Sequence, residues 1–267
     1  MSNRRGTNTR RTRRSELRAT GSPGREPRTI PVVWLSTVVA IFLLGPAWIS
    51  TVTFFTCFRH AAAHSGFWLR EEVWFFALGV VLWVIAFFGL PRPLVIYVFG
   101  HELTHALWVW VLGGRVSDFQ VSKDGGHIIS DKHNFWIALT PYFFPLYSIL
   151  VIAAYGASTL FISNMEPYHR WLYALIGITW AFHVSFTLWM IPKGQTDLTY
   201  YGTFFSMMVI YLMNLAILTV LLIIASPHVS WRGFGIEWVR NAHGFAQWVL
   251  IAAHRARRLF QSLVHPA

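Results

Sequence analysis

A His-Glu-x-x-His sequence lies inside an apolar stretch of the chain, running from His101 and Glu102 to His105. On a helix His101 and His105 are one turn apart on the same face, so both imidazoles can reach one metal ion. Glu102 lies beside them, where a carboxylate can take a proton from a water molecule at the metal. The alternative is a pair of helix-surface histidines next to an acid. We favour a metal site, because ionisable side chains inside a membrane-type segment are costly and usually functional.

The composition of the chain predicts a polytopic membrane protein. Of the 267 residues 55% are hydrophobic and 17% aromatic, whereas only 12% are charged. An ordinary soluble domain carries about twice that share of charged residues, so this class is excluded. Cys57 is the single cysteine, which excludes an intrachain disulfide and a cysteine-based zinc site.

The basic residues are concentrated at the two ends of the chain. Residues 1–30 contain nine Arg and two Glu, residues 227–267 contain five Arg and one Glu, and the part between is neutral. This distribution predicts an integral protein of the cell (inner) membrane, with both termini cytoplasmic and near anionic lipid headgroups. Residues 1–30 lack apolar periodicity, so we expect a disordered tail. No aromatic residues are interleaved with its arginines, and we therefore expect no nucleic-acid binding.

Residues 31–226 read as one membrane domain with six transmembrane helices. Each of six apolar segments is long enough to cross a hydrocarbon core about 30 Å thick. They lie at 31–56, 73–90, 94–113, 135–163, 171–191 and 201–226. The first is too long for a cleavable signal and is interpreted as a retained anchor. The expected fold class is all-α.

Two interruptions of the helical pattern follow the motif. Gly113 and Gly114 end the motif helix, and residues 115–134 then alternate around a turn at 123–126. This pattern predicts a short β-hairpin, with a plain loop as the alternative. Pro141 and Pro145 fall within the fourth segment, so that span is expected to be kinked or broken.

Three further polar residues and the C-terminal tail have two interpretations each. His183 in the fifth span is either functional or, more commonly, an interhelical hydrogen-bonding residue. Asp197 follows a Pro-Gly break, either as a helix N-cap or as a site residue. Asn214 in the sixth span is expected to hydrogen-bond between helices rather than to belong to the site. Residues 227–267 have the pattern of an amphipathic helix, lying in the headgroup region or binding a partner.

The chain resembles the site-2 protease family of intramembrane zinc metalloproteases over about residues 93–200. The resemblance consists of His101-Glu102-x-x-His105 in a membrane segment, Gly113-Gly114 with the following hairpin, and an Asp at a helix break several spans later. It implies that His101, His105 and Asp197 hold one Zn²⁺ per chain and that Glu102 is the general base. The implied activity is hydrolysis of peptide bonds in a transmembrane protein substrate.

Two positions depart from the family pattern. The family usually has Asp-Gly at the third ligand, whereas Leu198 follows Asp197 here. The family also usually has an Asn in the span after the motif helix; here the nearest is Asn134, at the entrance of that span. The expected orientation departs as well. The basic tails predict that the motif helix runs from the cytoplasmic side outward, whereas in known members it tends to run the other way.

Two other classes of protein compete with the protease interpretation. A membrane di-iron oxidase also uses His-x-x-x-His pairs, but it needs further histidine clusters, including adjacent His-His pairs, and this sequence has none. A non-catalytic metal-binding or scaffolding membrane protein would retain the motif without the reaction. Zinc at one ion per chain would favour the protease over the oxidase, which would hold two irons.

Overall fold

Helices of very different length make up most of the protein, which we describe from a computed structural model for residues 30–123 and 125–264. The disorder predicted for the basic tail concerns residues outside these ranges. The α-helices and strands are α1 (Ile30–Ala62), α2 (Ser65–Trp68), α3 (Glu71–Gly89), α4 (Leu94–Val111), β1 (Val116–Ser122), β2 (Gly125–Ser130), α5 (Phe135–Leu139), α6 (Leu146–Ser158), α7 (His169–Met190), α8 (Thr196–Tyr200), α9 (Thr203–Ala225) and α10 (Trp231–Val264). Single 3₁₀ turns precede α6, α7 and α8.

Five of the helical stretches within these ranges are long and apolar enough to cross a membrane. They contain α1, α3, α4, α7 and α9, and the pair α5–α6 would make a sixth span if it is counted as one. Large apolar side chains on these helices face outward; Phe42 and Phe88, for example, are each 77% exposed. Because such surface is stable only against lipid, the predicted all-α polytopic membrane fold is confirmed.

The fourth predicted span is broken, as its two prolines indicated. The segment Phe135–Tyr142 meets Leu146–Ser158 at an angle of 78°. Pro141 lies in the 3₁₀ turn Thr140–Tyr142, and Pro145 stands immediately before α6. Proline lacks an amide hydrogen and clashes with the preceding helical turn, so the chain changes direction between these positions. The backbone groups released by this break become available to the functional site.

The helices α3 and α7 pack with their backbones almost in contact. A Cβ atom placed on Gly79 of α3 would lie 2.0 Å from the carbonyl oxygen of Ala174. A Cβ atom on Gly177 of α7 would lie 2.2 Å from the carbonyl oxygen of Phe76. Two facing glycines therefore allow an approach that no larger residue permits, as is common between membrane helices.

The predicted hairpin after the motif helix is present. Strands β1 and β2 are antiparallel, with Ser122 opposite Gly125 and Phe119 opposite Ile128. The sheet packs against α4, and Val121 contacts a buried apolar cluster that includes Tyr97 and Val98. The hairpin is thereby held beside the motif helix.

The C-terminal helix α10 packs along α1. Trp238 donates from its indole nitrogen to Ser50 Oγ (3.1 Å), and Asn241 donates to Thr53 Oγ1 (3.0 Å). The ring of Phe245 lies beside Gly45, one to two turns further along. The first half of this amphipathic helix is therefore attached to the first span, and association of the tail with lipid headgroups stays a prediction.

Candidate metal centre

The centre of the site is a triangle of three potential ligand atoms. Helix α4 presents His101 and His105 on one face, with their Nε2 atoms 3.2 Å apart. The Oδ2 atom of Asp197 lies 3.4 Å from each of these nitrogens. Within the described residues this is the one group of three His, Cys, Asp or Glu side chains whose ligand atoms meet, and it could hold a metal ion.

The dimensions of this triangle fit a zinc ion. Zinc binds His and Asp at about 2.0–2.2 Å in tetrahedral geometry, so neighbouring ligand atoms should be about 3.3–3.5 Å apart. The three observed separations are 3.2, 3.4 and 3.4 Å. The two contacts of 3.4 Å are long for hydrogen bonds between nitrogen and oxygen. The ligand atoms therefore have the spacing of one face of a zinc tetrahedron.

Asp197 comes from the chain between the last two predicted spans. The short helix α8 begins after Gln195, which takes the N-cap position, so Asp197 lies in the first turn and the N-cap interpretation is wrong. Burial alone would raise the pKa of Asp197, but the contacts with His101 and His105 outweigh it and lower the pKa below its ordinary value. The carboxylate is therefore ionised, as a metal ligand must be. At 24% exposure it is also the most accessible of the three side chains.

The broken fourth span supplies partners to two of the three ligands. His105 Nδ1 lies 2.8 Å from the carbonyl oxygen of Ile137, which belongs to the short helix α5. Carbonyl groups at the end of a helix have no partner within it, and His105 uses one of them. This contact fixes the ring with Nε2 towards Asp197. Tyr142, fully buried in the 3₁₀ turn, donates its hydroxyl to Asp197 Oδ2 at 3.2 Å.

Glu102 is buried beside the triangle and is covered by the hairpin. Its carboxylate does not belong to the group formed by His101, His105 and Asp197, so Glu102 lies beside the three potential ligands. Gly126 of β2 lies directly against it, because a Cβ atom at Gly126 would be 2.6 Å from Glu102 Cγ. A carboxylate in this position can exchange a proton with a water molecule at the centre without being a ligand.

Two asparagines singled out from the sequence have structural contacts. Asn214 of α9 donates to the carbonyl oxygens of Tyr142 (3.2 Å) and Ile210 (2.9 Å), which confirms the expected interhelical hydrogen bond. The side chain of Asn134 accepts from the amide of Ile137 (2.9 Å) and caps α5. Asn134 is therefore engaged at a helix end and not turned towards the ligands.

Two tyrosines at the centre were not predicted from the sequence. Tyr142 contacts Asp197 as described, and the Tyr97 hydroxyl lies 3.4 Å from His101 Nδ1. Tyr97 precedes His101 by one helical turn, which is a signal that the sequence did contain. Tyr142 is 55 residues from Asp197, and its only sequence signal is its place between the two prolines of the broken span.

Comparison with known proteins adds no family to this geometry: no family model, curated protein or solved structure matches the chain.

Proposed function

We propose that this protein is an intramembrane zinc metalloprotease, similar to the site-2 proteases. One observation carries the proposal: His101, His105 and Asp197 meet with the spacing of zinc ligands beside Glu102. The two histidines lie on α4, a helix long and apolar enough to span a membrane. Three protein ligands leave a fourth position for water, which distinguishes catalytic from structural zinc sites. Bound zinc would lower the pKa of a water molecule there towards neutrality and polarise a peptide carbonyl.

Glu102 is the proton carrier in this proposal. It accepts a proton from the attacking water, and the resulting acid returns the proton to the nitrogen of the cleaved peptide bond. Burial under the hairpin keeps Glu102 away from bulk water, so its proton is exchanged within the site. Tyr142 holds the Asp197 carboxylate in place by its hydrogen bond, and the Ile137 carbonyl does the same for the His105 ring.

The substrate in this proposal is a transmembrane helix that unwinds locally. A peptide bond within an intact helix is inaccessible because its carbonyl is hydrogen-bonded along the helix. At the break between α5 and α6 the helix is interrupted, and an unwound segment of the substrate can approach the site there. Each strand of the two-stranded hairpin has one edge outside the ladder, with which an unwound segment can pair.

We further propose that the protein lies in the cell (inner) membrane with both termini cytoplasmic. The support is the basic residues at the two ends, which favour the cytoplasmic side and contact with anionic headgroups.

The test separates metal binding from catalysis. His101→Ala, His105→Ala or Asp197→Asn removes or weakens a ligand and should lower zinc content. Glu102→Gln leaves the ligand set intact and removes the proton acceptor, which typically costs a factor of about 10² to 10⁴ in rate. Zinc stoichiometry and cleavage of a reporter transmembrane peptide are measured on each purified variant. Zinc bound by the wild type at one ion per chain, with Glu102→Gln loaded but inactive, supports the protease.

Two outcomes would contradict the proposal in different ways. Wild-type protein that binds zinc but cleaves no reporter peptide, or a Glu102→Gln variant that cleaves as fast as wild type, would reject the proposed mechanism and favour a non-catalytic metal-binding protein. Wild-type protein without stoichiometric zinc would reject the metal site itself.

A further inference from the structure

The two ligand histidines differ in what holds their outer ring nitrogens. Both present Nε2 to the centre, so both carry a hydrogen on Nδ1 and need an acceptor there. His105 has one in the Ile137 carbonyl at 2.8 Å. The outer nitrogen of His101, Nδ1, lies 3.4 Å from the Tyr97 hydroxyl, which is beyond the usual range for a hydrogen bond. Among the described residues, no protein group therefore accepts a hydrogen bond of normal length from Nδ1 of His101.

His183 of α7 has a buried ring nitrogen that lacks a hydrogen-bond donor. Its side chain is buried, at 9% exposure, and its Nε2 atom has no hydrogen-bonding partner. The ring lies within hydrogen-bonding reach of the main chain of Tyr142, which leaves Nδ1 as the nitrogen for that contact. A neutral imidazole that donates from Nδ1 to a carbonyl has a bare lone pair on Nε2, so Nε2 is an acceptor. An unpaired acceptor at this depth is destabilising and calls for an explanation.

A small cavity connects the two histidines. It has a volume of about 20 Å³, and its walls include Tyr97, His101, Thr104 and His183. A single water molecule needs at least about 10–15 Å³ and two to four polar partners. The cavity therefore has the size and the polar walls of a site for one water molecule between these two rings.

We propose that His183 is a positioning residue for the metal centre, holding His101 through one buried water molecule. The water accepts from His101 Nδ1–H and donates to His183 Nε2, while Thr104 Oγ1, which itself donates to the Gly100 carbonyl, can accept its second hydrogen. This bridge does for His101 what the Ile137 carbonyl does for His105. It orients the ring, fixes its tautomer and increases the basicity of the ligand. The inference rests on the metal-binding part of the proposed function and not on the protease activity.

Thr187 provides a matched control on the same helix face. It lies one turn after His183 on α7, is also buried, and its Oγ1 atom likewise lacks a partner. It is not among the residues that line the cavity. Thr187→Val thus removes a buried unpaired polar atom next to the site without touching the proposed bridge.

The experiment measures the zinc affinity of the purified full-length chain in detergent, by competition with a chromogenic chelator. His183→Leu removes the acceptor and should weaken zinc binding by about 10- to 100-fold. His183→Gln restores an acceptor near the position of Nε2 and should recover most of that loss, whereas Thr187→Val should bind zinc as the wild type does. Thermal unfolding of each zinc-free variant shows whether His183→Leu is folded.

The possible results distinguish this inference from the proposed function. Wild-type affinity in His183→Leu would overturn the bridge while leaving the zinc site intact. Equal losses in His183→Leu and His183→Gln, or an equal loss in Thr187→Val, would also overturn it, because packing and not a hydrogen bond would then be responsible. If His183→Leu fails to fold, His183→Met replaces it, because methionine is close to glutamine in size but lacks the amide acceptor. Wild-type affinity in His183→Met would then overturn the bridge, and a loss that His183→Gln recovers would support it. Absence of zinc from the wild type would reject the metal site and the bridge together.

Discussion

An alanine at Gly79 should force the helices α3 and α7 apart. Its Cβ atom would lie 2.0 Å from the Ala174 carbonyl oxygen and 2.9 Å from both the carbonyl carbon of Ala174 and the amide nitrogen of Ile178. An unstrained carbon-to-oxygen contact between helices measures about 3.3–3.6 Å, so the added methyl lacks more than about 1 Å of space. The obstructing atoms belong to the backbone and cannot rotate away. Relief therefore requires separation of the two helices.

We expect Gly79→Ala to reduce the free energy of unfolding by about 1–3 kcal/mol, the usual cost of overpacking. Gly89→Ala is the control on the same helix, since a Cβ atom there would have no neighbour within 4 Å. It should be neutral or stabilising by up to about 1 kcal/mol, the difference in helix propensity between glycine and alanine. Reversible unfolding in mixed micelles, followed by helical circular dichroism, compares the two variants.

The facing glycine supplies a second comparison. Gly177→Ala brings a methyl within 2.2 Å of the Phe76 carbonyl oxygen and should cost a similar amount. Once one methyl has separated the helices, the second meets less resistance, so the double variant should lose less stability than the two single variants combined. Equal stability of Gly79→Ala and Gly89→Ala would refute the close packing of α3 on α7, on which the position of His183 also depends.

Two other predictions concern the hairpin and the orientation of the chain. Gly126→Ala places a Cβ atom 2.6 Å from Glu102 Cγ and 2.8 Å from the Gln120 carbonyl oxygen, so the hairpin should lift from Glu102. Peptide cleavage should fall while zinc content stays at the wild-type level, and Gly156→Ala, which adds a methyl with no neighbour within 4 Å, should change neither; unaltered cleavage in Gly126→Ala would contradict the contact. Reporter fusions at the two ends should both report a cytoplasmic location, and an externally accessible N-terminal tail would overturn the proposed orientation.

Hydropathy and turn residues predicted most of the secondary structure. The spans predicted at 73–90 and 94–113 correspond to Glu71–Gly89 and Leu94–Val111, because an uninterrupted apolar run in lipid has no alternative to a helix. The first predicted span, 31–56, ends at Ala62 in the structure, and its last turns include polar residues that hydropathy assigns to the loop. Pro141 and Pro145 located the break in the fourth span, but its 78° angle depends on packing that they do not encode.

The site was only partly accessible from the sequence. The spacing of His101 and His105 gives two ligand positions directly, since four residues make one turn. Asp197 is 96 positions from His101, and only the family resemblance linked the two; by local pattern alone it was equally a helix cap. Tyr142 and the Ile137 carbonyl, which contact two of the ligands, belong to a broken helix. Which backbone groups such a break leaves unpaired depends on the tertiary structure, so these partners could not be predicted from a local sequence pattern.

The amphipathic C-terminal helix shows a different limit of sequence reasoning. Its apolar face fits lipid and protein equally well, because both remove that surface from water. Polar contacts show that the first half of the helix is attached to protein: Trp238 and Asn241 donate to the hydroxyl groups of Ser50 and Thr53 of α1. The attachment of α10 to α1 thus depends on hydroxyl groups of α1 that the periodicity of the C-terminal helix does not specify.

The breaks in the helices are the feature that makes a polar centre stable inside this apolar protein. A continuous helix pairs its own backbone groups and offers none to a neighbour, whereas a broken helix must find partners for those that it releases. Here the Tyr142 carbonyl accepts from Asn214 and lies within reach of His183. The Tyr142 hydroxyl donates to Asp197, and the Ile137 carbonyl bonds to His105. The same contacts that satisfy the broken span therefore orient the ligands. A straight fourth helix would leave His105 and His183 without these acceptors, which is the physical reason that the break and the centre occur together.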